Sequence, residues 1–129
     1  MNGEYLLDTS VLIPLLRSDE VVLQRLAGAQ RVLVPCIALG ELYVGAIHGG
    51  DGPASVAEVD ELAMNVPVLV CDGIIARSYG VLKAALLRKG TPVPDNDIWI
   101  AAIAMRHGLC VATRDQHFLR IEGLAVEVW

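Results

Sequence analysis

The stretch Glu4-Tyr5-Leu6-Leu7-Asp8-Thr9-Ser10-Val11-Leu12-Ile13-Pro14-Leu15-Leu16 decides the fold. Residues 4–7 form a short apolar run that reads as a buried strand. An acid, Asp8, follows at once. A second apolar run starts behind Thr9 or Ser10, either of which suits a helix N-cap, and predicts a helix over 10–16. Pro14 is expected near the first turn of that helix, where its missing N–H costs little. A strand that hands an acid to the start of a helix is one unit of an α/β protein.

The same alternation continues along the chain. A second short helix is expected over 19–27, capped by Ser18 or Asp19. A strand over 31–34 closes at Pro35, and a helix over 37–47 carries Leu39, Leu42, Tyr43, Ala46 and Ile47 at helical spacing. Residues 48–53, rich in glycine, form the clearest loop. An amphipathic helix over 54–64, a strand over 66–70 and a long helix begun by Asp72 and stopped at Gly90 follow. The helix over 95–106 is apolar on every side through its middle, as a buried helix is. Strands over 109–112 and 125–128, with a helical turn over 116–119 between them, complete the series. The expected class is α/β, with a mainly parallel sheet covered by helices on both faces.

The chain has 129 residues, 54% of them hydrophobic, and a mean hydropathy of +0.52. That suits one core-rich domain over residues 1–129 and excludes a disordered chain. No apolar run reaches the ~20 residues of a bilayer span, and no signal peptide is legible, so a cytoplasmic protein with no membrane partner is expected. Cys36, Cys71 and Cys110 form no CxxC pair and are expected as buried free thiols. The net charge of −5 excludes a broadly basic nucleic-acid-binding surface. It does not exclude a nuclease whose acids gather round a cation. Arg77, Lys83, Arg88 and Lys89 read as a solvated helix face, with a phosphate-contacting edge as the alternative.

The position of the acids carries the functional reading. Asp8 follows the first strand, and Asp115 lies just beyond the strand over 109–112. Asp97 is in the first turn of the buried helix, and Glu41 sits one to two turns into the helix after the second strand. Strand C-termini and the following helix N-termini share one edge of a parallel sheet, where such sheets bind ligands. Oxygen-only clusters of this kind suit magnesium or manganese. Each acid also has a plainer reading. Asp8 suits a helix cap, Asp97 a first-turn acid and Asp115 a turn residue. Glu41, in an apolar surround, needs a partner.

Four blocks then resemble a known family. They are Leu6-Leu7-Asp8-Thr9-Ser10-Val11-Leu12-Ile13, Pro35-Cys36-Ile37-Ala38-Leu39-Gly40-Glu41-Leu42-Tyr43-Val44-Gly45, Pro94-Asp95-Asn96-Asp97-Ile98-Trp99-Ile100-Ala101-Ala102 and Val111-Ala112-Thr113-Arg114-Asp115-Gln116-His117-Phe118. In order and spacing they resemble the PIN-domain nucleases, specifically the toxin component of VapBC-type toxin–antitoxin pairs. The resemblance implies a three-layer α/β/α sandwich, one or two Mg2+ or Mn2+ ions, and endonucleolytic cleavage of RNA. It also implies an antitoxin partner and a homodimer. Asp8, Glu41, Asp97 and Asp115 match the metal-binding acids. Thr9 and Thr113 match supporting hydroxyls, Asn96 matches the polar residue before the third acid, and Asp95 is an extra acid at the rim or a cap. Trp99 is expected to pack rather than to take part in chemistry, and His117 to pack beside Phe118, with contact to the phosphate as the alternative. His48 and His107 read as loop and helix-end residues.

In the mechanism this suggests, Asp8, Asp97 and Asp115 hold a first metal and Glu41 orients a second metal or a hydrated ligand. A catalytically inactive PIN-like interaction module is the alternative. A receiver domain would need a second acid beside Asp8 and a late lysine. A haloacid-dehalogenase-type phosphatase would need an aspartate where Ser10 stands. Dinucleotide and nucleotide folds would need glycine motifs that this chain lacks.

Overall fold

The computed structural model describes residues 3–49 and 54–129. Residues 50–53 of the expected loop lie outside the described residues. The strands are β1 (Glu4–Leu7), β2 (Arg31–Pro35), β3 (Val68–Leu69), β4 (Cys110–Thr113) and β5 (Val126–Val128). The helices are α1 (Thr9–Leu16), α2 (Glu20–Ala27), α3 (Cys36–His48), α4 (Val56–Asn65), α5 (Gly73–Lys89) and α6 (Asp95–His107). A 3-10 turn spans Gln116–Arg120.

The strands form one sheet in the order β3-β2-β1-β4-β5. Every pairing is parallel, with Tyr5 opposite both Val32 and Cys110, and Val34 opposite Val68. The chain runs outward from β1 through β2 to β3, then crosses back to β4 on the other side of β1. Right-handed crossovers in opposite directions lie on opposite faces, which gives the three-layer α/β/α arrangement. The gap between β1 and β4 is therefore the topological switch point, at whose C-terminal edge such sheets bind ligands.

The core explains why these segments form these elements. Leu6, Leu7, Leu33, Val34, Val111 and Ala112 of the three central strands are buried against Val11, Leu12, Ala38, Leu42, Ile100, Ile103 and Phe118. A satellite cluster of Leu86, Val93, Ile98, Ala101 and Ile121 joins α5 to α6. Ile98 and Ile100 through Ala104 of α6 are all buried, as its all-round apolar sequence predicts. The helix stops where Gly108 turns into the left-handed region at φ 65°, a conformation glycine adopts without a Cβ penalty. Trp99 packs, stacked on Tyr79 with ring centroids 4.0 Å apart. Among the described residues no helix is long and apolar enough to cross a membrane.

Several local expectations are corrected. The N-cap of α1 is Asp8 itself, not Thr9 or Ser10, because its carboxylate accepts from Ser10 N–H. Pro14 sits deep in that short helix rather than in its first turn, and α1 ends soon after it. The fourth helix starts at Val56, not at 54, because Ser55 and Glu58 close a reciprocal capping box. The third strand is shorter than expected, since only Val68 and Leu69 pair with β2. Of the cysteines only Cys110 is buried; Cys36 is half-buried and Cys71 exposed. The basic group on α5 is, as expected, a solvated face, on which Lys83 pairs with Asp95 and Lys89 with Glu122. His48 is the last residue of α3 rather than a loop residue.

Candidate metal centre

Four elements converge on the β1–β4 edge. Asp8 leaves the end of β1 and is only 4% exposed. Its Oδ2 accepts from Thr113 Oγ1 at 2.8 Å, from Ser10 Oγ at 2.7 Å and from Ser10 N at 3.4 Å. Three donors on one oxygen fix the carboxylate plane and keep the other oxygen out of these bonds. Thr113, wholly buried at the end of β4, also accepts from the Asp115 amide at 2.9 Å. Ser10 Oγ lies 3.1 Å from Thr113 Oγ1 and accepts from Arg114 N at 2.8 Å. One hydroxyl pair thus ties the first acid to the loop that carries the last.

Glu41, in the second turn of α3, is held by Thr9 Oγ1, which donates to its Oε1 at 2.9 Å. Asp97 sits in the first turn of α6, after Pro94, and is 8% exposed. Its carboxyl is pushed up to about 7. Burial is the main cause, followed by the negative charges of Asp8, Asp115 and Glu41, with His117 acting in the opposite direction. The other three acids are therefore close enough to Asp97 to repel its charge. Among the described residues none of them is paired with a lysine or arginine. Arg114, beside Asp115 in sequence, reaches Trp129 O and Asp19 instead.

The tightest group is Asp97, Asp115 and His117, each of which offers a ligand atom within 4.8 Å of the other two. His117 Nδ1 lies 2.8 Å from Asp115 Oδ1 and 3.7 Å from Asp97 Oδ2. It is buried but not aligned for a hydrogen bond to either, so it stands as a polar atom without a partner. Carboxylate oxygens, one imidazole nitrogen and no fixed counter-ion are a donor set that fits a divalent cation. Three of the four acids line an open cleft of about 450 Å³, bounded by Glu41, Pro94, Asp95, Asn96, Asp97, Asp115 and His117.

Thr9 and Thr113 bond to Glu41 and to Asp8 and Asp115, as supporting hydroxyls would. Asn96 lines the cleft. Asp95 lines it too, but its Oδ1 is engaged by Lys83 Nζ at 2.7 Å and Tyr79 Oη at 3.0 Å. Both interactions hold its carboxyl below the usual carboxylate range, so Asp95 ties α6 to α5. His117 is the correction: Phe118 takes the core and His117 turns its ring nitrogen to the acids. Ser10 was missed as a bridge between Asp8 and the Arg114 amide. Its only signal was a hydroxyl two residues after a strand-end acid, the spacing of a local side-chain-to-backbone bond.

Comparison with known proteins agrees with this geometry. Residues 5–124 match the family model described as PIN domain. The tRNA(fMet)-specific endonuclease VapC of Salmonella typhimurium is 33% identical over 129 residues, which cover 98% of each chain. Ribonuclease VapC2 of Haemophilus influenzae is 29% identical, again over 98% of both. The solved structure of DNA-bound VapBC from Salmonella typhimurium superposes with a TM-score of 0.89 at 32% identity, covering 98% of both chains. The chain belongs to the PIN-domain family, among the VapC ribonucleases.

Proposed function

We propose that this protein is a divalent-metal-dependent endoribonuclease, the toxin of a VapBC-type toxin–antitoxin pair, acting through Asp8, Glu41, Asp97 and Asp115. The observation that carries this reading is Asp97 at the switch point, buried and facing the charges of Asp8, Asp115 and Glu41, with no lysine or arginine paired to any of the four among the described residues. Like charges at such spacing are costly unless a cation joins them.

Asp97 and Asp115 would hold Mg2+ or Mn2+ together with His117, and Asp8 would join them directly or through water. Glu41, oriented by Thr9, would serve a second ion or a hydrated ligand. A divalent ion held there supplies a water of lowered pKa and neutralises charge on the scissile phosphate. The chain's own part is positioning. Thr113 and Ser10 hold Asp8 in one plane, and Thr113 also fixes the backbone of Asp115. Pro94 and the first turn of α6 hold Asp97 at the floor of the cleft, where a helix N-terminus stabilises its charge.

The supporting residues are Thr9, Thr113 and Asn96, with Asp95 at the rim. We take residues 1–129 as one nuclease domain working in the cytoplasm. The proposed partners are a cognate antitoxin and a second copy of the chain. Val44 and Ile47 of α3 and Met64 of α4, exposed by 66%, 72% and 86%, offer apolar surface for such contacts. The alternative, an inactive interaction module, is disfavoured because all four acids are present and gathered at one sheet edge.

The test is cleavage of a single-stranded RNA panel with added Mg2+ or Mn2+, comparing the wild type with Asp97→Asn. Internal cleavage that EDTA stops and Asp97→Asn abolishes is the expected result. Cleavage that survives either change overturns the assignment.

A further inference from the structure

Two of the three cysteines meet at the sheet edge. The parallel register pairs Val34 with Val68 and Pro35 with Leu69. Cys36 is the next residue after Pro35 and opens α3; Cys71 follows Leu69 by two and precedes Asp72, the N-cap of α5. With that register continued, Cys36 stands opposite Val70 and Cys71 one residue further along a neighbouring strand ~4.8 Å away, a placement of the order of the ~4.4–6.8 Å Cα separation a disulfide spans. Cys36 is near enough to Cys71 to help push its thiol above the usual range, after burial. Cys71 is exposed, and Cys36 is half-buried behind it. Cys110 belongs to the buried start of β4, two strands away from β2.

We propose that Cys36 and Cys71 form a redox modification site, at which a low-molecular-weight disulfide converts them into an intramolecular bridge between α3 and the β3–α5 connection. The exposed Cys71 thiolate attacks one sulfur of the small disulfide, forming a mixed disulfide and releasing one small thiolate. Cys36, as its thiolate, then attacks the Cys71 sulfur and expels the second. The two protons lost by the cysteines end on the two small thiols. The protein is oxidised by two electrons and the small disulfide is reduced by two. Burial, then the charge and hydrogen bond of Cys36, push the Cys71 thiol up to about 11. A thiol raised in this way attacks through its minor thiolate form at neutral pH.

The location gives the bridge a consequence. Glu41 is in the second turn of the helix that Cys36 begins, and α5, which Cys71 leads into, packs along α6 and its Asp97. A bond there ties together the two frames that carry these acids. It also closes the long loop through α3, α4 and β3, so the unfolded chain loses freedom.

The experiment incubates the folded wild-type protein with excess oxidised glutathione, alkylates free thiols and digests without reduction. Trypsin leaves residues 32–77 as one peptide, because no lysine or arginine lies between Arg31 and Arg77. The expected peptide is unalkylated and lighter than its dithiol form by the two hydrogens lost. Cleavage after Glu58 or Glu61 splits it into fragments that separate only on reduction. Cys110 stays free, and Cys36→Ser leaves Cys71 as a mixed disulfide with glutathione. The bridged protein melts higher, by on the order of 10 °C for a loop of this length. Two alkylated thiols, a mixed disulfide that persists on wild-type Cys71, a bridge to Cys110 or a lower melting temperature would overturn the proposal. None of these outcomes depends on nuclease activity.

Discussion

At the scale of residues, Asp97 is the electrostatic centre of the site. An ordinary aspartate ionises near 3.8, whereas Asp97 holds its proton to about 7. The folded pKa lies above the unfolded one, so this group's contribution to stability is full below about pH 4. It is lost progressively as pH rises toward 7 and stays lost above that. In metal-free protein, Asp97→Asn should therefore gain stability over the wild type as pH rises from 4 to 7, by up to a few kcal/mol, and then level off. Thermal melts of both proteins across pH 4–8 check this. A constant difference would mean that Asp97 feels no such field. The neighbouring acid behaves oppositely. Asp95 is engaged by Lys83 and Tyr79 at an exposed surface, so Asp95→Asn should leave the melting temperature nearly unchanged and keep RNA cleavage. Thr113→Val removes a donor from Asp8 and an acceptor from the Asp115 amide. It should weaken divalent-cation affinity by about 10–100-fold, read by calorimetric titration.

The acids were legible because their positions relative to strand ends are a sequence property. Ser10 and His117 were not, for a physical reason. Ser10 meets Thr113 and the Arg114 amide, far along the chain, only once β1 and β4 pair. The direction of His117 is set by Phe118 taking the core beside it. Asp95 and Asp97 look alike in sequence, and only the approach of α5 separates their roles.

At the scale of elements, existence was easier to read than boundaries. Hydrophobic spacing identifies every helix and strand, but ends depend on caps and pairing. Asp8 starts α1 one residue before the expected cap, and the Ser55–Glu58 box starts α4 two residues later than expected. The segment over 66–70 has strand-like composition, yet only Val68 and Leu69 find partners on β2. The stop of α6 was legible because glycine follows its last periodic residue. Nothing lies within 4 Å of the place where a Cβ at Gly108 would stand, and its φ is +65°. Gly108→Ala should thus cost only backbone strain, about 1 kcal/mol, seen as a melting temperature lower by a few degrees with cleavage retained.

At the scale of the whole molecule, the alternation of elements implies a parallel sheet but not its order. Whether β4 lies beside β1 or beyond β3 depends on long-range pairing that no local pattern encodes. The order β3-β2-β1-β4-β5 determines that Asp8 and Asp115 share one edge. The net charge of −5 does not oppose this plan, because a cation bound among the site's acids inverts the field there. The most direct test is anomalous diffraction from crystals soaked in Mn2+. The account predicts a manganese peak at the floor of the cleft, bonded to the side chains of Asp97 and Asp115. A cleft without manganese at saturating concentration, in protein that still cleaves RNA, would contradict it.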